Sequence, residues 1–122
     1  MSRTIPLTAA ALAASLALAA PAFAAQTAAT PLDGTVGPGF TITLTKGGKA
    51  VKTLKHGSYT ITVKDKASIH DFDFFGPGVK KVITSVPFVG TKSVTVTLKK
   101  GTYTFQCDPH ASSGMKGTIK VT

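Results

Sequence analysis

At 122 residues the chain has room for one domain and no more. It carries 14 Lys and Arg against five Asp and Glu, a formal net charge of +9 at neutral pH. A single Cys excludes an internal disulfide, and an unpaired thiol in an oxidising compartment is a liability unless it is buried or bound.

Residues 1–24 read as a secretory signal. Arg3 gives a positive start, Leu7 to Ala20 is an apolar run rich in Ala and Leu, and Pro21 interrupts it. Ala22-Phe23-Ala24 then has the small-x-small form of a cleavage site. The run is about 14 residues, short of the ~20 that a helix needs to span a bilayer. The expected product is exported, secreted or periplasmic, about 98 residues long, and without stable membrane insertion after signal cleavage. It keeps 13 Lys and five Asp, with no Arg and no Glu, a net charge of +8. Nucleic acid is excluded as a partner by the compartment and by the missing Arg, whose planar fork reads phosphate and guanine. Dispersed Lys also serves solvation and edge protection on strands. A function for the charge would be to steer an acidic protein partner or to hold the protein near an anionic surface.

Residues 25–39 are rich in Ala, Thr, Gly and Pro without periodicity, and are expected to be a flexible leader. From Phe40 the pattern alternates with period two, the signature of strands. Phe40, Ile42 and Leu44 alternate with Thr, Lys46 to Lys49 is a turn, and a short strand covers Ala50 to Leu54. Tyr59, Ile61 and Val63 form the next strand, and Ser68 to Phe75 another, closed by Gly76-Pro77-Gly78. Val79 to Gly90 is less regular, and Pro87 argues against an interior strand there. Val94, Val96 and Leu98 alternate, Lys100-Gly101 turns the chain into Thr102 to Cys107, and a last strand runs from about Met115 to Val121. No segment after the signal has helical periodicity. Six to eight short strands at this spacing predict an all-β fold, a two-sheet Greek-key β-sandwich over residues 40–122.

The chemistry concentrates in Cys107-Asp108-Pro109-His110-Ala111-Ser112-Ser113-Gly114-Met115. Three side chains with soft or borderline donor atoms lie within nine residues, between two predicted strands. A fourth candidate, His70, lies 37 residues before Cys107 on another predicted strand. Cys107 is in phase with Tyr103 and Phe105, Met115 with Ile119 and Val121, and His70 with Phe72 and Phe74. Alternation alone therefore aims them inward near strand ends, and the intervening turn brings His110 over the same end. Two imidazoles, one thiolate and a weak thioether are the donor set of a blue-copper site. Structural zinc would recruit four Cys or His ligands instead.

The spacing Cys107-x2-His110-x4-Met115, after the strand Thr102 to Gln106, resembles the copper loop of plastocyanin. Ile69-His70-Asp71-Phe72 is similar to the first-histidine segment of the same cupredoxin family, and the resemblance covers about residues 35–122. It implies one type 1 copper ion held by Nδ1 of His70 and His110, the Cys107 sulfur and a long axial contact from Met115. It also implies electron exchange with redox partner proteins through the exposed edge of His110, with Pro109 and Ala111 in an apolar docking patch. Asp71 stands where many members have an Asn that ties this segment to the Cys loop. An Asp can still accept backbone hydrogen bonds, and its charge near a thiolate would favour Cu(II).

Blander readings compete at each position. Cys107 alone would be a small core residue, and Met115 or His70 alone a core side chain. His56 reads as an ordinary surface residue. Asp71 and Asp73 share the strand face opposite His70 and lack a nucleophile, which argues against an acid–base pair. A Cys107–His nucleophile pair would leave Met115 without a purpose and lacks a group to orient the base. The expectation is a monomeric, non-enzymatic one-electron carrier. The alternative, using the same ligands, is an extracytoplasmic protein for copper storage or delivery.

Overall fold

A computed structural model of the chain describes residues 1, 2, 4, 10–20 and 28–122. Arg3, the expected cleavage segment Ala22 to Ala24, and residues 25–27 of the expected leader lie outside the described residues. No helix among the described residues is long and apolar enough to cross a membrane.

The fold is a sandwich of two mixed sheets, each of five strands. In chain order the strands are β1 (Thr30–Val36), β2 (Ile42–Lys46), β3 (Lys49–Ala50), β4 (Thr53–Leu54) and β5 (Gly57–Asp65). They continue as β6 (Phe72–Gly76), β7 (Val79–Thr84), β8 (Gly90–Leu98), β9 (Gly101–Gln106) and β10 (Lys116–Val121). One sheet has the order β3-β2-β1-β5-β8 and the other β4-β10-β9-β6-β7. Between β3 and β4 the chain passes from one sheet to the other through Val51 and Lys52. The single short strand expected over Ala50 to Leu54 is therefore corrected to two two-residue strands in different sheets, and the eight longer strands among the described residues fall within the expected six to eight.

The expected leader is corrected from Thr30 on. Residues 30–36 form β1, in the interior of its sheet, antiparallel to β2 and parallel to β5. Leu32, Gly34 and Val36 are its buried face. The middle one of these is Gly because the Phe72 ring lies 2.9 Å from where a Cβ would sit. That close approach removes the apolar side chain that would have made the period visible. The folded domain therefore begins at about Thr30 rather than Phe40.

The strand expected over Ser68 to Phe75 is also corrected, since β6 begins only at Phe72. The Asp65 carboxylate accepts a hydrogen bond from the Ala67 N–H at 3.2 Å, and the His70 N–H reaches the Ala67 carbonyl at 3.4 Å. These local bonds turn the chain and leave His70 in a loop. β7 is an edge strand and ends before Pro87, consistent with the missing amide of that residue.

Between the sheets lie Leu32, Val36, Leu44, Ile61, Val63, Phe72, Phe74, Leu98, Tyr103 and Ile119, all essentially buried. Phe72 stacks on Phe105 and Phe74 on Tyr103, with ring centroids 6.0 and 5.5 Å apart. Such pairs contribute about 0.5–1.5 kcal/mol each beyond the burial of their area. The Tyr103 hydroxyl donates to the Pro77 carbonyl at 2.5 Å and accepts from the Lys99 N–H at 2.9 Å.

The register sorts the connections into two ends. Val36 pairs with Ile42 and Asp65, and Asp65 with Gly90, so the connections 37–41, 66–71 and 85–89 share one end. Lys116 pairs with Gln106, and Phe72 with Thr84, which brings the connection 107–115 to that end too. The opposite end holds the turns 47–48, 77–78 and 99–100 and the segment 55–56.

Candidate metal centre

The site sits where the connections 66–71 and 107–115 meet. Cys107 directly follows β9 and continues its buried face through Tyr103 and Phe105. Asp108 to Ser113 then form a short 3-10 helix that begins with Pro109 in its first turn, a position that suits its fixed φ and missing donor. Gly114 ends this helix at φ +97°, a left-handed conformation that only Gly adopts without strain. Met115 follows, and its backbone closes the loop. The Cys107 N–H donates to the Met115 carbonyl at 3.0 Å, and the Met115 N–H to the His110 carbonyl at 3.2 Å. The His110 N–H donates to the Cys107 carbonyl at 3.1 Å.

His70 enters from the other loop and is fully buried. Gly37 passes against it: a Cβ there would lie 3.0 Å from His70 Cδ2. The next residue but two, Phe40, sets its ring edge-to-face on both imidazoles, with centroids 5.6 Å from His70 and 4.9 Å from His110. Phe40 is 64% exposed, so it is not the inward strand residue that the alternation implied. Sequence reading missed this role, and only the contact with two rings from distant segments reveals it.

The donor atoms converge. His70 Nδ1 and His110 Nδ1 are 3.0 Å apart, and the Cys107 sulfur lies 3.6 and 3.4 Å from them. All three atoms fall within 4.8 Å of one another. Cys107 and Met115 are buried, while the His110 ring is partly exposed. Of the four sequence candidates, the side-chain donors of His70, Cys107 and His110 thus meet at one point, and Met115 is brought beside them through the loop backbone.

The arrangement fits a metal ion. Two imidazole nitrogens and a sulfur aim at one point, where neutral rings can share only one proton between them. Ligand bonds of about 2.0 Å to nitrogen and 2.3 Å to sulfur, the values for zinc, subtend edges of this size. Burial pushes the Cys107 thiol above its ordinary range, against backbone hydrogen bonds that pull it down. Without metal the group is a protonated thiol at neutral pH, and taking up a metal releases that proton.

Asp71 ties the two loops together. Its Oδ1 accepts a hydrogen bond from the Asp108 N–H at 2.6 Å, the link that the resemblance attributes to Asn. Burial pushes its carboxyl up, and the Asp108 N–H opposes this. Asp73 is pushed up to about 6, chiefly by burial, with Asp108 and Asp71 adding to the effect and Lys80 opposing it. Both carboxylates are buried, and only Asp73 belongs to β6, Asp71 standing in the loop before it rather than on a shared strand face. His56 is exposed and far from this cluster, with its Nδ1 3.0 Å from the Thr122 carbonyl.

Sandwich and donor set together define a cupredoxin, a blue-copper protein with a plastocyanin-like loop. Residues 35–122 match the family model described as copper binding proteins, plastocyanin/azurin family, and the chain belongs to that family. It is 62% identical over 32 residues to plastocyanin of Daucus carota, a match covering 25% of this chain and 33% of that protein. The match thus spans about a third of the length of this curated relative. Among solved structures, the copper protein rusticyanin is similar with a TM-score of 0.57 and 23% identity, over 75% of this chain and 76% of the other. Reduced auracyanin from the photosynthetic bacterium Roseiflexus castenholzii has a TM-score of 0.54 and 22% identity, over 79% and 99%. At these identities the structural likeness speaks for the fold.

Proposed function

We propose that the protein is an exported, monomeric carrier of single electrons and not an enzyme. Its one type 1 copper ion is held by His70, Cys107, His110 and Met115. The observation that carries this reading is the meeting of the two Nδ1 atoms and the Cys107 sulfur within 3.0–3.6 Å of each other. Bound there, copper supplies a Cu(I)/Cu(II) couple, for which thiolate, imidazole and thioether are suited donors. The chain's own residues fix the donors in one geometry and exclude water around Cys107 and Met115. They leave the His110 ring as the edge through which electrons pass.

The surroundings of that edge support a partner docking at this end. Phe40, Ile69, Val86 and Val89 are the exposed large apolar residues here, and exposed Pro109 and half-buried Ala111 flank His110. Apolar side chains grouped on one face mark interaction sites. A rigid β-sandwich also keeps the donors nearly still between redox states, which favours rapid exchange.

The test is to add Cu(II) to the metal-free protein and record its visible spectrum. Intense thiolate-to-copper absorption is expected, together with its complete loss in Cys107→Ser. A parent protein that stays colourless overturns the ligand assignment. Metal retained through repeated oxidation and reduction supports the carrier. Ready handover of Cu(I) to a chelating acceptor instead makes it a storage or delivery protein.

A further inference from the structure

The charge of the molecule is divided between its two ends. All 13 lysines are exposed. Lys64, Lys66, Lys92 and Lys116 lie at the metal end or in the strand segments next to it. Asp65, Asp71, Asp73 and Asp108 share that half and balance them. The other nine lysines lie in the far half: Lys46, Lys49, Lys52, Lys55, Lys80, Lys81, Lys99, Lys100 and Lys120. Asp33, at mid-strand beside Thr45 and Thr62, is the one side-chain acid outside the metal half, and across the boundary only Lys80 lies close enough to Asp73 to act on its charge. The excess positive charge of the folded domain therefore resides at the end away from the donors.

Exposed apolar residues show the opposite bias. Outside the N-terminal run, Phe40, Ile69, Val82, Val86 and Val89 are the exposed large apolar residues, and all lie in the metal half. Among the described residues the far half exposes none. Its tyrosines, Tyr59 and Tyr103, are buried. A recess of about 710 Å³ opens in this basic end, lined among others by Lys46, Lys55, His56, Ser58 and Thr122.

We propose that the far end is a membrane-facing surface that binds anionic phospholipid headgroups electrostatically and presents the metal end to soluble partners. The nine lysines spread over both sheets and several turns, so they form a broad cap rather than a convergent pocket. A broad cap suits an extended anionic plane better than the compact acidic site of a protein. Lys, a compact hydrated point charge, suits diffuse attraction to headgroups, and the lack of exposed apolar side chains keeps the contact peripheral.

Distance argues against the same lysines guiding a redox partner to the site. β5 has nine residues and spans the sandwich. At a rise of ~3.3 Å per residue this is about 30 Å, nearly four Debye lengths of about 8 Å at physiological salt. An acidic partner drawn to these lysines would sit a sandwich length from His110.

The experiment compares two full-length variants of equal net charge. Lys49, Lys52, Lys55 and Lys100 become Gln in one, and Lys64, Lys66, Lys92 and Lys116 become Gln in the other. Co-sedimentation is measured with phosphatidylcholine vesicles containing about 30% phosphatidylglycerol, and with pure phosphatidylcholine vesicles, at roughly 0.05 M salt. Pure phosphatidylcholine reports whatever the apolar N-terminal run contributes. The parent is expected to prefer the anionic vesicles and to lose that preference as salt rises. The far-end variant should lose roughly a hundredfold in affinity, and the metal-end variant no more than about threefold. Equal losses in the two variants overturn the proposal, because net charge alone would then be responsible. So does absence of anionic preference in the parent, or binding to soluble polyglutamate with none to the vesicles, which would assign the cap to an acidic protein. Metal-free and copper-loaded protein should bind alike, so the result stands apart from the copper reading.

Discussion

The two loops that build the metal centre are held in different ways. The segment from Cys107 to Met115 is closed by its own backbone, with three hydrogen bonds of 3.0–3.2 Å among Cys107, His110 and Met115. The segment around His70 has one comparable bond, from His70 to Ala67 at 3.4 Å. His70 is positioned from outside instead, by Gly37 against its ring, Phe40 over its face, and the link from Asp71 to Asp108. One part of the site is thus local and the other tertiary. A change in the first should act on the donors themselves, and a change in the second on how closely His70 approaches them.

Loss of the thiolate in Cys107→Ser removes the site outright, and the next largest effect should come from the tertiary side. Gly37→Ala places a methyl group 3.0 Å from His70 Cδ2 at a backbone φ of +75°. The expected cost is about 1–3 kcal/mol of stability, by urea unfolding of the metal-free protein, and roughly tenfold in copper affinity, by competition with a chelator. Gly114→Ala is the matched change in the local loop. Its φ is +97°, but nothing lies within 4 Å of the added Cβ. It should cost about 1 kcal/mol through strain alone and affect copper binding less than Gly37→Ala does. Equal effects on copper affinity would remove the distinction between the two loops.

Asp71 joins the two halves, so its removal should rank next. Asp71→Ala leaves the Asp108 N–H without its acceptor and is expected to cost about 1–2 kcal/mol. Asp71→Asn keeps an acceptor and should cost little. Denaturant midpoints of the two variants at pH 7 check this. If both behave alike, the link is not what holds the loops together.

One further effect carries the opposite sign. The carboxyl of Asp73 titrates near 6 in the folded protein, against an ordinary value of 3.8. The folded state therefore binds this proton more tightly than the unfolded state does. The stability contribution is fully present below about pH 4 and is lost as pH rises through 6. Asp73→Asn removes the cost of the buried charge. It should stabilise the metal-free protein by about 1–2 kcal/mol at pH 7 and by almost nothing at pH 4. Unfolding curves at the two pH values measure this, and a gain that does not depend on pH would point to a cause other than charge.

The same division explains how far the sequence could be read. The local loop was legible because its chemistry is contiguous: Cys107, His110 and Met115 lie within nine residues, and no other fold-level reason groups those side chains. Alternation also gave the sandwich and the inward faces of β9 and β10. It failed at β1, where Gly34 vacates space for the Phe72 ring. It also failed at His70, which has the phase of β6 but sits in the preceding loop, because the turn depends on the Asp65 side chain bonding the Ala67 amide. Phe40 looked like the first inward residue of a strand. Its position over both imidazoles depends on loops brought together by folding, which periodicity does not encode.

His70 and Cys107 stand 37 residues apart in sequence. On the proposed ligand set, one ion gripped by both is a cross-link between distant parts of the chain. A clip over such a span restricts the unfolded chain much as a disulfide does, by roughly 3–4 kcal/mol in the chain-entropy account. A protein whose single Cys cannot pair with another would thus gain, through its metal, the covalent-like staple that small exported domains ordinarily obtain from disulfides. Its redox cargo would also be its fastening.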